Sequence, residues 1–438
     1  MIRSATARPR PRPACLARAA GLALGAGTAA WAALAAAEAP EPAKVVAAYA
    51  DVAMAVYNDA LDAARDLDTA IDALLDAPSE ATLDAAREAW IAARVPYQQT
   101  EVYRFGNELV DAWEGRVNAW PLDEGLIDYV DASYGTDSDE NDFYAANVVA
   151  NETLAVGGRT VDARQITPEF LEEELQEAGG IESNVATGYH AIEFLLWGQD
   201  LNGSNPGAGE RPATDYDVEN CTHGHCERRG EYLAAAAELL VDDLEEMASA
   251  WQDGGRARAA LVGKGERGAL AAMLTGMGSL SYGELAGERM QLGLMLHDPE
   301  EEHDCFADNT AASHYWDGVG IRNVWQGRYE RPDGEVVEGP SLEALVAAED
   351  PALARELSGE LDASVEALGR LLESQREGRA YDQLIAEGDE AGNALVQTAI
   401  DALVAQTRNI ERAVAALGLS GVELEGSDSL DDPSAVFQ

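Results

Sequence analysis

Basic residues are scarce in this chain, and lysine is almost absent. Lys44 and Lys264 are the only lysines among 438 residues, and 30 basic residues stand against 80 Asp and Glu, for a formal net charge of -50. A surface this acidic repels nucleic acid and anionic lipid headgroups, so we exclude nucleic acid as a partner. It attracts cations mainly as a loose counterion layer. We therefore favour adaptation to a saline or external setting over a specific role in collecting cations.

Long apolar runs are missing after the first 37 residues, so the mature chain is predicted to have no transmembrane span. The N-terminus combines five Arg, no acidic residue, an apolar run from Leu16 to Leu34, and Ala35-Ala36-Ala37 before Glu38. This order is typical of a signal peptide, which we place at residues 1–37. An uncleaved anchor stays open, because the run approaches spanning length. We expect an exported protein, in the periplasm or associated with the outer membrane.

Cysteine is rare too, and three of the four cysteines follow the predicted signal peptide. Export places them in an oxidising compartment. Cys221 and Cys226 enclose two histidines, so a zinc or copper site is one interpretation. We favour a disulfide between them, because an oxidising compartment joins such a close pair, with free thiols or other pairings as further alternatives. Cys305 is then left unpaired.

The pattern that remains is helical. Apolar residues recur at helical spacing from Val45 to Ala77 and through most of the later chain, which predicts an all-α protein. Pro332-Asp333-Gly334 lies between two short β-capable runs. It predicts a small β-hairpin inserted among the helices, between Tyr329 and Gly339.

The domain organisation follows from loop-forming composition. The stretch 202–212 is rich in Gly, Asn and Pro, which indicates a loop and a domain boundary. We predict two bundle-like helical domains, an N-terminal one at residues 38–212 and a C-terminal one at residues 213–422. Residues 423–438 are acidic and are predicted to form a disordered tail.

The most informative segment runs from Gly188 to Gly198. It carries His190 and Glu193 three residues apart at the start of an otherwise apolar stretch. Residues at this spacing share one face of a helix, so both side chains can point at one spot. Burying such a pair is costly unless a partner compensates both groups. A metal such as iron or zinc is one compensator, and a hydrogen-bonded structural pair is the alternative.

The surrounding sequence resembles a known family. The run Asn184-Val185-Ala186-Thr187-Gly188-Tyr189-His190-Ala191-Ile192-Glu193-Phe194-Leu195-Leu196-Trp197-Gly198-Gln199-Asp200 resembles the signature of the imelysin family, whose hallmark is Gly-x-His-x-x-Glu. That family is also called the insulin-cleaving membrane protease or iron-regulated protein A family. Residues 118–129 and 301–310 resemble two further segments of it. The resemblance spans roughly residues 42–420 and implies two helical domains with related bundle folds.

Two ligands do not complete a metal site, since three or four protein ligands are usual. Glu101 and Asp123 are the predicted companions of His190 and Glu193, because they lie in or near the family-like part of the same half. Helix capping or a salt bridge, for example between Glu101 and Arg104, is the alternative. The Glu-x-x-His order of di-iron bundles is reversed here and occurs once in a clear helix, which favours a single-ion site.

Two histidines of the second half are further candidates. His303 lies within the family-like segment 301–310, and His314 follows it. Both could line a cleft between the two halves. Ordinary polar roles in a loop are the favoured interpretation for both.

Three functions remain open. The first is an exported metal-binding protein of the cell envelope in iron acquisition, which binds a metal ion or an iron carrier and works with envelope iron-transport components. The second is a zinc metallopeptidase, the activity that the resemblance implies. No His-Glu-x-x-His occurs in the sequence, so that activity rests on resemblance alone. The third is a non-catalytic envelope protein in which His190 and Glu193 form a structural pair.

Overall fold

The computed structural model describes residues 39–136, 138–139, 141–156 and 158–437, and helices dominate them. The α-helices are α1 (Pro42–Asp76), α2 (Glu80–Gln98), α3 (Glu108–Glu114), α4 (Glu124–Ile127), α5 (Pro168–Phe170), α6 (Gly188–Trp197), α7 (Cys226–Trp251), α8 (Arg256–Gly263), α9 (Gly265–Ser279), α10 (Leu292–Leu296), α11 (Thr310–Gln326), α12 (Leu342–Glu349), α13 (Pro351–Arg376), α14 (Tyr381–Ile385), α15 (Glu390–Ala416) and α16 (Asp428–Asp431). A π-helical segment, Leu280–Gln291, joins α9 to α10. The strands are β1 (Thr153–Val156), β2 (Arg159–Asp162), β3 (Arg328–Glu330) and β4 (Val336–Glu338). The all-α prediction is therefore confirmed.

Long amphipathic helices form the core. The helix α1 buries one face against α2 and α7, and α13 packs between α11 and α15. Leu67, Ile71 and Leu74 recur along α1 at helical spacing and are fully buried. Ser79 begins α2, because its hydroxyl accepts a hydrogen bond from the Thr82 backbone N–H.

The group of α1, α2 and α7 also contacts the group of α11, α13 and α15, since α2 packs against α11. Helices from both predicted halves thus contribute to the packing around α2. The domain boundary at residues 212 and 213 stays a prediction. The predicted signal peptide, residues 1–37, lies outside the described residues.

The predicted hairpin is confirmed. Tyr329 pairs with Val337 in the antiparallel ladder of β3 and β4. A second hairpin, β1 with β2, was not predicted. Its buried positions, Leu154 and Val156, alternate with exposed ones over only four residues, which is too short a pattern to distinguish from a loop.

Two smaller predictions concern cysteine and the tail. Cys221 and Cys226 form the disulfide that we favoured, and Cys305 is a free cysteine. The prediction of a disordered tail does not describe residues 427–431. Ser427 and Ser429 are buried there, and the Ser429 hydroxyl donates a 2.9 Å hydrogen bond to the Gly287 carbonyl.

Within the described part of the chain, no helix is both long enough and apolar enough to cross a bilayer.

Candidate metal centre

The backbone at Gly188 fixes where α6 begins. Gly188 has a φ of +78°, and a Cβ on it would lie 2.4 Å from the carbonyl oxygen of Val117. The next residue, Tyr189, donates its backbone N–H to that same carbonyl at 2.8 Å. A side chain at Gly188 would be strained by the left-handed φ and would block this contact. Glycine is therefore required at this position, two residues before His190 and five before Glu193.

His190 and Glu193 lie on one face of α6, as predicted. His190 Nδ1 and Glu193 Oε2 are 3.0 Å apart, and both side chains are buried. Glu193 Oε1 accepts a hydrogen bond of 2.9 Å from the backbone N–H of Ala307. The Nε2 atom of His190 is buried without a hydrogen-bond partner. One ring nitrogen is thus used by Glu193, and the other is free for a ligand.

Two residues of the second half complete a cluster around His190. One potential ligand atom from each of His190, His303 and Asp304 lies within 4.8 Å of the other two. The rings of His190 and His303 meet edge to face with centroids 4.7 Å apart. Asp304 Oδ1 lies 4.0 Å from His190 Nδ1 and 3.4 Å from His303 Nδ1. In the part of the chain that the structure describes, no other three His, Cys, Asp or Glu residues come this close.

Arg94 of α2 holds this cluster in place. Its guanidinium donates to Asp304 Oδ1 at 2.7 Å and to Asp304 Oδ2 at 3.3 Å, with both side chains almost fully buried. Arg94 Nη2 also lies 3.4 Å from His303 Nδ1. A third guanidinium nitrogen donates to Asn118 Oδ1 at 2.6 Å. A two-point pair of this kind fixes the carboxylate's orientation as well as its charge.

The loop and helix after Asp304 supply the remaining hydrogen bonds of that carboxylate. Asn309 Nδ2 donates to Asp304 Oδ2 at 2.9 Å, and the hydroxyl of Ser313 donates to the same oxygen. The backbone N–H of Asp304 donates to Thr310 Oγ1 at 3.0 Å. Asp304 is therefore held from three directions, so little movement is open to it.

Burial sets the protonation states of the cluster. Burial, followed by the positive charge of Arg94, lowers the pKa of His190 to about 3. Burial and the positive charge of Arg289 hold the pKa of His303 well below its ordinary value. Both imidazoles are therefore neutral at pH 7, which is the form that binds metals. Burial raises the pKa of Glu193 well above its usual range, and the negative charge of Asp304 adds to the effect.

Asp304 is the charged group of the cluster. Burial alone would raise its pKa, but the guanidinium of Arg94, together with the hydrogen bond from Ser313, lowers it below the ordinary value. The cluster thus combines two neutral imidazoles, one ionised carboxylate and one buried guanidinium.

Glu101 is not brought into this cluster. It accepts a hydrogen bond of 2.8 Å from Arg289 Nη2, and Arg289 also pairs with Glu284 and Asp317. The salt-bridge alternative therefore describes Glu101, although its partner is Arg289 and not the nearby Arg104. The pairing joins residues far apart in the sequence, which no local pattern could indicate.

Asp123 is also outside the cluster. Its Oδ2 accepts hydrogen bonds from Asn141 Nδ2 at 2.6 Å and from Ser183 Oγ at 2.7 Å. The residue precedes α4 but its side chain does not cap that helix. It lines an outer cavity of about 440 Å³ that also touches Trp120, whose ring packs against His303.

The favoured interpretation of His303 and His314 was wrong, because neither is an ordinary polar loop residue. Both side chains are almost fully buried. His303 joins the cluster, and His314 lies in α11 with its ring against Tyr381 and both ring nitrogens unpartnered. Sequence reasoning missed Asp304 altogether. The available signal was the resemblance of residues 301–310 to a family segment, which is where both His303 and Asp304 lie.

Fold and cluster together define a helical protein with a buried site of two histidines and one carboxylate. The chain belongs to the imelysin family, whose model matches residues 53–410. Iron-regulated protein A of Synechococcus elongatus is 23% identical over 369 residues, which cover 82% of this chain and 81% of that protein. The crystal structure of an iron-regulated protein A precursor from Parabacteroides distasonis shares the fold, with a TM-score of 0.61, 17% identity, and coverage of 87% of this chain and 97% of that one.

Replacing Gly188 tests how the motif positions the site. We expect Gly188→Ala to lower the free energy of unfolding by about 3 kcal/mol, because it adds left-handed strain to a backbone clash. Gly378→Ala is the matched control, since its φ is +88° with no atom within 4 Å of the added Cβ. It should cost about 1 kcal/mol, from strain alone. Urea unfolding measures both, and equal losses would contradict the role given to Val117.

The buried His314 makes a pH-dependent contribution to stability. Burial and the charge of Arg289 lower its pKa to about 3, whereas the unfolded chain has an ordinary histidine. The unfolded state therefore binds the extra proton, and stability is lost as pH falls from about 6.5 toward 3. His314→Gln and His314→Phe should each gain about 2 kcal/mol relative to the wild type when pH drops from 7 to 5. Urea unfolding at both pH values measures this difference, and a difference near zero for both variants would contradict it.

Proposed function

We propose that this chain is an exported metal-binding protein of the cell envelope that takes part in iron acquisition. In this proposal His190, His303 and Asp304 hold one iron(II) ion. The observation that carries it is the buried, unpartnered Nε2 of His190, a residue that clusters with a second imidazole and an ionised carboxylate. A buried polar atom without a partner is costly, so it points to a ligand.

The chemistry of the donor set supports iron. Two histidines and one carboxylate are the set used by non-haem iron(II) proteins, and they also suit zinc. Imidazole is a good ligand only when neutral, which is the state that burial imposes on His190 and His303. The name of the Synechococcus elongatus relative, iron-regulated protein A, favours iron over zinc.

Glu193 has a different role in this proposal from the one its spacing predicts. In the tautomer with the proton on Nδ1, His190 donates to Glu193 and leaves Nε2 free for the ion. Metal-binding histidines commonly donate their other ring N–H to a carboxylate, which fixes the ring and strengthens the ligand. Glu193 then orients the ligand and does not itself bind the ion.

Arg94 opposes a cation in the same place. Its guanidinium already satisfies Asp304 and approaches His303. An arriving ion must share or displace these contacts. Repulsion from the buried positive charge therefore lowers the affinity of the site for the ion. This balance favours reversible capture over permanent retention of the ion.

The burial of the site favours an ion over a polypeptide as its ligand. His190, His303 and Asp304 are each at most 2% exposed, so a peptide bond has no direct access to them in this conformation. The metallopeptidase alternative gains no specific observation from the geometry, and it rests on the family relationship. Export and the envelope location rest on the sequence of residues 1–37.

Metal content tests the proposal. We expect the purified protein, loaded with Fe²⁺ without oxygen and freed of excess metal, to retain one equivalent of iron. His190→Ala and His303→Ala should each abolish retention, and Glu193→Gln should weaken binding by about 10- to 100-fold. The exposed His225→Ala serves as the matched control and should retain the full equivalent. Iron content by mass spectrometry measures each case. A wild-type protein without retained metal, or full retention in His190→Ala, would favour the structural-pair alternative.

A further inference from the structure

A small acidic cavity lies beside the candidate metal centre and has no part in it. Four carboxylates line it, those of Asp200, Glu300, Glu302 and Asp382, together with Pro299, Cys305 and Phe306. Its volume is about 10 Å³, which is enough to hold one water molecule or one monatomic ion. No Lys or Arg is among the described residues that line it.

This cavity adjoins the larger outer one. The two share Asp200, Glu300, Cys305 and Phe306 as lining residues. The outer cavity of about 440 Å³ adds the carboxylates of Asp123 and Glu124. The small cavity therefore borders a wider space that is itself acidic.

Glu302 is the buried group that indicates a ligand. Its side chain is 1% exposed, and its Oε2 accepts a 2.9 Å hydrogen bond from the Thr310 hydroxyl. Its Oε1 has no hydrogen-bond partner. An enclosed carboxylate oxygen without a donor carries the full cost of lost hydration, which a bound cation would offset.

Repulsion between the carboxylates that line the cavity also favours a bound cation. Burial raises the pKa of Glu300 to about 7, and the negative charges of Glu124, Asp298 and Asp200 add to this effect. Burial also raises the pKa of Asp382 to about 6, with a further contribution from Asp200. Carboxylates crowded in this way need either protons or a cation to share the space.

We propose that the cavity is a second cation site, which takes a hard divalent cation such as Ca²⁺ between the carboxylates of Asp200, Glu300, Glu302 and Asp382. Hard cations prefer oxygen ligands, and the lining offers no imidazole. In the described residues only the inner cluster places three ligand atoms within 4.8 Å of one another, so at most two of the four carboxylates can bind the ion directly without side-chain rotation. Water from the adjoining outer cavity completes its shell. Ca²⁺ accepts such a wide and flexible shell. The proposal does not depend on iron binding at His190.

Ca²⁺ separates the two sites, because it binds oxygen and not imidazole. We expect calorimetric titration of the full mature chain with Ca²⁺ in 0.1 M KCl to show one site with a Kd on the order of 10⁻⁴ M. Glu300→Gln combined with Asp382→Asn should weaken it at least tenfold, whereas His190→Ala should leave it unchanged. Asp362→Asn combined with Glu366→Gln is the matched control, since it removes two charges from side chains that are 64% and 75% exposed.

Two outcomes would overturn the proposal. One is the absence of stoichiometric Ca²⁺ binding, or a set of many weak sites that the surface control weakens as much as the cavity variant does. The other is unchanged binding in the cavity variant. If that double variant does not fold, Asp200→Asn replaces it, because Asp200 is only half-buried and lines both cavities. Asp200→Asn should also weaken Ca²⁺ binding, and unchanged binding in it would overturn the proposal too.

Discussion

The buried ion pair between Arg94 and Asp304 is the interaction on which the candidate metal centre depends. It joins α2 in the first half of the chain to the loop before α11, over a separation of 210 residues. Breaking such a pair leaves an uncompensated buried charge, which typically costs about 3–5 kcal/mol. The guanidinium of Arg94 lowers the pKa of Asp304, adds to the burial that lowers the pKa of His190, and lies 3.4 Å from His303 Nδ1. One contact thus sets the geometry and the charge of the site together.

In the proposed function, this arrangement favours capture and release of an ion. Neutral imidazoles and an ionised carboxylate attract a cation, whereas the fixed guanidinium opposes it. Glu193 on α6 orients His190 without adding a full negative charge, because burial raises the pKa of Glu193. The acidic outer cavity, which Asp123 and Glu124 line, would raise the local concentration of cations near the centre.

Sequence reasoning succeeded where the signal was local. The helical period, the turn at Pro332-Asp333-Gly334, the Cys221–Cys226 pair and the i, i+3 spacing of His190 and Glu193 all involve residues close in the chain. It did not indicate that Glu101 pairs with Arg289 across 188 residues. It also failed for His303, Asp304 and Arg94, because long-range packing decides which buried polar groups meet, and a single sequence contains no record of that packing.

In the proposed function, His190 and His303 bind one ion directly, and Glu193 acts only by orienting the ring of His190. X-ray absorption spectroscopy of the Fe²⁺-loaded protein tests it most directly, since imidazole ligands give a distinct scattering pattern that can be counted. We expect two imidazoles in the wild type, two at weaker occupancy in Glu193→Gln, and a loss of iron in His303→Ala. A shell of oxygen atoms alone, or an unchanged imidazole count in iron-loaded His303→Ala, would contradict it.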